Sequence, residues 1–140
     1  MWDFSTTDWQ NQLSPLGTAA TDITTTWNIT VDGLNFYSVQ KNRWNTTYIQ
    51  AGGSGSATDR VFTFTVGKAG ELSVTVSNTG ASADMARELA VVVGDAAAVT
   101  KPAGFSADTP DVVTFDIEAG AIKVYPTKAL RIYKIEFHSK

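Results

Sequence analysis

The chain has 140 residues, 43 % of them hydrophobic, which is enough for one domain with a core of its own. It has no Cys and a single His, so it offers almost no material for disulfides, thiolate zinc sites or a Ser-His-Asp centre. A net charge of −3 gives no overall basic field for nucleic acid, and no apolar run approaches the ~20 residues of a membrane helix. We therefore expect neither an enzyme nor a protein that binds nucleic acid or a membrane.

The composition also favours β-structure. β-Branched and aromatic residues are plentiful and suit a pleated, half-buried surface, whereas charged residues make up only 18 % of the chain. Among the first elements, residues 27–31 and 34–37 are joined by Asp32-Gly33, a dipeptide typical of two-residue hairpin turns. A weaker strand follows at 46–50. The sequence thus predicts a tight β-hairpin near the start of the domain.

Residues 61–66 and 72–77 show the cleanest alternation of apolar and polar side chains, which is typical of strands with one buried face. The short segment Gly67-Lys68-Ala69-Gly70 between them predicts a second β-hairpin. Before this pair, residues 51–59 are rich in Gly and Ser, and we expect an exposed loop that is mobile unless a partner orders it.

The second half continues in the same manner. Residues 89–93 are apolar on both faces, which indicates a central strand covered on both sides. Further strands are predicted at 113–117, 121–125 and 130–137. Short helical turns fit residues 8–13 or 83–89 but are too brief to change the class. Eight or nine short strands without intervening helices predict an all-β fold, a jelly-roll-like antiparallel β-sandwich spanning residues 1–140.

Trp44 is the most informative aromatic residue, because its neighbours in the segment QKNRWNT (40–46) are polar and supply no apolar partner. Such a tryptophan either caps the edge of the core or offers a flat face to a sugar ring. Lys41 and Arg43 precede it and Tyr48 follows, and arginine can hold a carboxylate in a bidentate fork. The segment is therefore a candidate site for an acidic sugar, with ordinary surface charge as the alternative for each cation.

Two further groups of charged residues stand out. Lys123, Lys128, Arg131 and Lys134 form a basic cluster on a predicted last hairpin, where they either line the same site or protect an edge strand from pairing. Carboxylates that could supply oxygens to a structural calcium ion, without the spacing of an EF-hand, are Asp108, Asp111, Asp116 and Glu118. The alternative is that these acids are ordinary solvated charges on an exposed strand. No cofactor is expected.

Several short motifs occur in a characteristic order. They are WDFS at 2–5, VDGL at 31–34, GSGS at 53–56, RVFTFTV at 60–66, GELSV at 70–74, RELAV at 87–91, VY at 124–125 and LRIYKI at 130–135. In this order the chain resembles the β-sandwich modules attached to bacterial pectate lyases, and in particular pectin-binding carbohydrate-binding modules. Arg60 and Arg87 match recurring arginines of that pattern, with pairing to Asp59 or Asp84 as the structural alternative.

The resemblance implies a non-catalytic module, monomeric within a larger secreted enzyme, that holds its parent on an acidic plant polysaccharide, with homogalacturonan favoured. The expected ligand-binding residues are Lys41, Arg43, Trp44, Tyr48, Arg87, Tyr125 and Lys128. Two alternatives stay open: a module that binds a neutral glycan such as xylan or β-glucan, and a surface adhesion domain that binds protein.

Overall fold

The computed structural model describes residues 1–140. The chain forms one short helix, α1 (Thr7–Leu13), which continues into a 3₁₀ turn at Ser14–Leu16. Its strands are β1 (Trp2–Asp3), β2 (Trp27–Val31), β3 (Leu34–Ser38), β4 (Asn42–Trp44), β5 (Ile49–Ala51), β6 (Val61–Val66), β7 (Gly70–Ser77), β8 (Glu88–Val93), β9 (Val99–Pro102), β10 (Asp111–Ile117), β11 (Gly120–Pro126) and β12 (Leu130–Ser139). The predicted all-β class is confirmed; the additional strands are the short β1, β4 and β9.

The strands form two antiparallel sheets packed face to face. The first sheet has the order β10-β7-β12-β5-β4, with β1 paired to the second half of β12. The second sheet has the order β2-β3-β6-β11-β8-β9. The molecule is therefore an antiparallel β-sandwich, as the strand spacing predicts. Because consecutive strands often belong to different sheets, many of the paired strands are far apart in the sequence.

Only one of the two predicted hairpins around 27–37 and 61–77 exists. β2 pairs with β3 across Asp32 and Gly33, which both have positive φ (55° and 85°), as a type I′ turn requires. The second prediction is wrong, because β6 lies in the second sheet and β7 in the first. Both strands have one buried face, and alternation alone does not distinguish neighbours within a sheet from strands on opposite sheets. The connection at 67–69 therefore crosses the sandwich.

β8 lies inside the second sheet, paired with β11 on one side and β9 on the other, but its outer face is only partly covered, since Val92 on that face is half-buried. Its residues Leu89, Ala90 and Val91 are all buried, including Ala90 on the face that points away from the core.

An aromatic stack joins the two sheets at the centre of the core. The ring of Phe62 on β6 lies 4.4 Å from that of Phe36 and 5.5 Å from that of Phe4. The backbone of Phe4 donates a hydrogen bond to Tyr133 O on β12, so this residue is anchored on the first sheet. The Phe4–Phe62 contact therefore ties the first sheet to the second.

The short helix predicted at 8–13 is confirmed as α1, which buries Trp9 and Leu13, whereas residues 83–89 form a turn that leads into β8. None of the helices is both long and apolar enough to cross a membrane.

The Gly-Ser loop 51–59 is anchored by the chain itself, which corrects the expectation of a free loop. Gly55 N donates to Pro126 O at 2.7 Å, and the Arg60 guanidinium donates to Ser54 O and Gln40 O. A Cβ on Gly52 would collide with the carbonyl oxygen of Lys41, so glycine permits the close approach of this loop to β4.

Candidate functional site

Two arginines lie on the outer face of the first sheet, on strands separated by one other strand. Arg43 on β4 is opposite Gln50 on β5, and Gln50 is opposite Arg131 on β12. The residues flanking each of them along the strands are buried, so the three side chains share the solvent face. Because neighbouring strands are about 4.8 Å apart, the two arginine backbones are separated by roughly 10 Å across the sheet.

Both guanidinium groups are held through their Nε atoms only. Arg43 Nε donates to Asp22 Oδ1 at 2.6 Å, and Arg131 Nε donates to Gln50 Oε1 at 3.2 Å. The terminal nitrogens of both arginines have no hydrogen-bond partner within the chain. Each arginine is therefore oriented by a neighbour while the edge that grips carboxylates in a bidentate fork stays available.

Two tyrosines stand beside these arginines. The Arg131 guanidinium lies 4.8 Å from the centre of the Tyr48 ring, and the Tyr48 and Tyr133 rings meet edge to face with centroids 5.4 Å apart. The Tyr133 hydroxyl shares a 2.9 Å hydrogen bond with Ser77 Oγ. We call Arg43, Tyr48, Gln50, Arg131 and Tyr133 the arginine–tyrosine cluster. Its aromatic contacts limit the freedom of the side chains before any ligand arrives.

One carboxylate partly offsets the positive charge of the cluster. Asp22 lies between Arg43 and Lys41, whose Nζ is 3.6 Å from Asp22 Oδ2. The hydrogen bond from Arg43 holds the pKa of Asp22 below its ordinary value, and the same bond raises the pKa of Arg43. Asp22 is accordingly ionised at neutral pH and competes with any external carboxylate for these two cations.

A shallow depression of about 240 Å³ adjoins the cluster at Tyr133. It is lined by Asp3, Ser5, Thr47, Thr75, Tyr133 and Lys134. Asp3 accepts hydrogen bonds from the Ser5 hydroxyl and amide, and the hydroxyl bond is the main reason that the pKa of Asp3 is lowered. The lining groups can donate and accept hydrogen bonds, as sugar hydroxyls require.

Trp44 requires a correction. It lies on β4 rather than in a loop, it is only 9 % exposed, and its ring packs in the core with Nε1 donating to Gly17 O at 3.0 Å. The polar residues around Trp44 alternate with it along a short strand, so their polarity marks the outer face and not a loop. Trp44 has no free face for a sugar ring.

The structure separates the other predicted residues from one another. Arg87 is a loop anchor: its Nη1 donates to Thr79 Oγ1 and Ala129 O, and its Nε lies 3.5 Å from Asp84 Oδ2. Tyr125 lies on the outer face of the second sheet, on the far side of the sandwich, where it is opposite Ala90. Lys128 is exposed in the turn before β12, three residues from Arg131. Of the predicted residues, Lys41, Arg43 and Tyr48 are brought together.

The basic cluster predicted on the last hairpin is also divided. β11 and β12 belong to different sheets and do not pair, so Lys123 is on the second sheet while Arg131 and Lys134 are on the first. β12 lies between β7 and β5, which excludes the role of protecting an edge. Arg131 was predicted only as a member of this basic cluster, and Tyr133 was not predicted as a site residue. Both alternate with buried Leu130 and Ile132, a pattern that marks them as outward-facing.

The carboxylates considered for calcium do not form a site. No group of three or more His, Cys, Asp or Glu side chains is arranged to hold a metal ion, and Asp116 instead pairs with Lys140 at 3.3 Å. The alternative role of these acids, solvation of an exposed strand and its turns, agrees with their exposure. Arg60 likewise does not pair with the Asp59 carboxylate through its side chain; that carboxylate accepts from the backbone amides of Arg60 and Val39.

Comparison with known proteins identifies no family. No family model matches the chain, and no curated protein matches it. Four solved chains match, among them one from a structure concerned with glycan recognition in the Ruminococcus flavefaciens cellulosome. That chain is 17 % identical, the alignment covers 99 % of this chain and 91 % of the other, and the TM-score is 0.45. At this level of similarity, the function of one chain does not follow from that of the other.

Proposed function

We propose that the outer face of the first sheet binds an acidic polysaccharide through the arginine–tyrosine cluster. The observation that carries this proposal is the pair of arginines on one line across β4, β5 and β12, each fixed through Nε with its terminal nitrogens free. A carboxylate on the ligand would bind each fork, because bidentate arginine–carboxylate pairs are strong and directional.

The tyrosines supply the second part of the recognition. A sugar ring presents C–H groups to an aromatic face and hydroxyls at its rim. Tyr48 and Tyr133 are half-buried, so part of each ring is exposed, and each hydroxyl, bonded once to Asn45 Nδ2 or to Ser77 Oγ, can form a further hydrogen bond. A polymer laid across the strands would meet Arg43, the tyrosine pair and Arg131, and its next residues would reach the depression beside Tyr133. This line is flanked by three lysines, Lys41, Lys128 and Lys134. Their ammonium groups would attract the polymer but would not fix the orientation of its carboxylates as the arginines do.

Among acidic polymers we favour homogalacturonan, the unesterified backbone of pectin, which carries a carboxylate on every residue. The resemblance of the motifs to modules of pectate lyases supports this choice. On this proposal residues 1–140 are a non-catalytic module of a secreted enzyme that degrades plant cell walls, and the module holds that enzyme on its substrate. Each exposed charge pair contributes only about 0.2–1 kcal/mol, so several such pairs must act together with the tyrosine contacts. We therefore expect weak binding, with dissociation constants of about micromolar to millimolar.

The test is affinity electrophoresis of the protein in gels that contain polygalacturonate, highly methyl-esterified pectin, xylan or β-glucan. We expect retardation by polygalacturonate, less by the esterified polymer, and a marked loss at high salt because screening weakens exposed ion pairs. Retardation by neutral polymers alone would overturn the proposal. The absence of any glycan retardation, together with a defined oligomer in solution, would instead indicate an adhesion or interaction domain.

A second candidate function, binding of a neutral glycan, is favoured by one feature of the second sheet. Its outer face carries a shallow groove of about 440 Å³ whose lining includes Asn35, Thr63 and Lys123. Asn35 Nδ2 donates to Asn28 Oδ1 and Thr30 Oγ1, at 2.8 and 2.9 Å, which fixes the amide. Amide and hydroxyl groups of this kind suit uncharged sugars, so Asn35→Ala would reduce retardation by xylan or β-glucan if this face binds them.

Replacing Asp22 with asparagine is expected to strengthen binding of polygalacturonate about two- to fivefold. The substitution removes the negative charge that competes for Lys41 and Arg43, while the amide oxygen still accepts the Arg43 Nε hydrogen bond. Isothermal titration with a galacturonate oligomer at neutral pH measures the change. Because the pKa of Asp22 is below its ordinary value, Asp22 stays ionised and the gain in affinity should be the same from about pH 5 to pH 8. A gain that appears only in part of that range would contradict the conclusion that Asp22 is negatively charged throughout it.

A further inference from the structure

The two sheets differ in width on one side of the sandwich. The second sheet ends in β9, whose Val99 and Lys101 are opposite the buried Val91 and Leu89 and so face the interior. Val99 is nevertheless 56 % exposed, because no strand of the first sheet covers it beyond β10. The mismatch leaves an open cleft between β8 and β9 on one side and β10 on the other.

Seven of the nine residues that line this cleft are hydrophobic. It encloses about 290 Å³, and its lining includes Val91, Ala97, Val99, Lys101, Phe115 and Asp116. Pockets for small molecules begin at about 300 Å³, and a cavity of about 150 Å³ already admits a benzene ring. The cleft therefore has room for one aromatic ring or a short alkyl chain.

Lys101 is the one cation among the residues that line the cleft. Lys101 Nζ lies 5.1 Å from the centre of the Phe115 ring and donates one hydrogen bond, of 2.6 Å, to Thr114 O. Two of its three N–H groups have no partner. The only carboxylate in the lining, Asp116, is paired with Lys140 at 3.3 Å. The polar contact that the cleft offers is therefore an ammonium group above an apolar floor.

We infer that the cleft is a second binding site, independent of the arginine–tyrosine cluster, for a small amphipathic carboxylate of the aryl type. The ring would lie against Val91, Val99 and Phe115, and the carboxylate would accept the free N–H groups of Lys101. Apolar burial drives entry of the ring, and the charge selects an acid over its neutral analogue.

The experiment uses 3-phenylpropanoate as the probe and 3-phenylpropanamide as its uncharged counterpart, each titrated into the ¹⁵N-labelled protein. We expect saturable shifts of the amide signals that line the cleft, with a dissociation constant of about millimolar for so small a ligand. The acid should bind about three- to fivefold more tightly than the amide, and Lys101→Gln should abolish that preference. Ala97→Trp, which fills the cleft, should remove the shifts.

Lys123→Gln is the matched control, because it removes one positive charge from a side chain that is on the outer face of the second sheet and does not line the cleft. It should leave the titration unchanged. The inference is overturned if the shifts scatter over the surface, if acid and amide bind equally well to the native protein, or if Lys123→Gln has the same effect as Lys101→Gln. The native titration needs no variant to fold, and failure of polysaccharide binding would leave its result unaffected.

Discussion

The double substitution of Arg43 and Arg131 with alanine is expected to weaken binding of polygalacturonate by about 10- to 50-fold, and each single substitution by about three- to tenfold. The two residues are the only cations on the sheet face that combine free terminal nitrogens with a fixed guanidinium plane. A polymer that spans both forks loses one charge-assisted contact in each single variant and both in the double variant. Retardation in affinity gels should then become undetectable.

Isothermal titration of native and variant proteins with a galacturonate oligomer measures these changes, and thermal unfolding confirms that each variant is folded. Lys123→Ala is the matched control, because it removes the same charge from the opposite face of the sandwich. Gln50→Ala tests orientation: it deletes the acceptor of Arg131 Nε without changing the charge, so an intermediate loss is expected.

An unchanged affinity in the double variant would refute the assignment of the ligand to this face. If Lys123→Ala loses as much affinity for polygalacturonate as the arginine variants do, the loss reflects the net charge of the protein, and this result would also contradict a specific site. If binding of polygalacturonate survives in the double variant but is lost in Lys128→Ala, the acidic ligand would lie at the end of the sandwich, near the β11–β12 turn, and not on the sheet face.

The fold class followed from the sequence because alternation and turn chemistry are local properties. Asp32-Gly33 specifies its turn by itself, since both residues adopt positive φ, and the hairpin prediction was correct there. The segment at 67–70 carries no such specification. Whether β6 and β7 pair within a sheet or face each other across the core depends on strands far away in the chain, which a local pattern does not report.

The site illustrates the same limit. A polar neighbourhood suggested that Trp44 lies in a loop, yet it is the inward residue of a strand only three residues long. Arg43 entered the predicted site because of its residue type and its polar neighbours, and the structure places it on the outer face of the first sheet. Its companion Arg131 is 88 positions later in the chain, and only the pairing of β4, β5 and β12 brings the two together. Sequence reasoning therefore found residue types and missed their assembly across strands.

Phe62→Ala is expected to destabilise the domain by about 3–5 kcal/mol, the usual cost of deleting a buried phenylalanine ring. Phe62 is fully buried and contacts the rings of Phe4 and Phe36, so the variant loses apolar burial and also leaves a cavity between the sheets. For a chain of 140 residues the melting temperature should fall by about 10–15 °C. Chemical denaturation followed by tryptophan fluorescence, together with calorimetry, measures both quantities.

Thr65→Ala is the matched control, because Thr65 lies on the same strand with its side chain exposed, and its loss should change stability by less than about 0.5 kcal/mol. A cost below about 1 kcal/mol for Phe62→Ala would mean that the ring is not packed between two sheets. The variant also separates stability from recognition. Phe62 belongs to the second sheet and the arginine–tyrosine cluster to the first, so at temperatures well below its melting point Phe62→Ala should bind polygalacturonate as the native protein does.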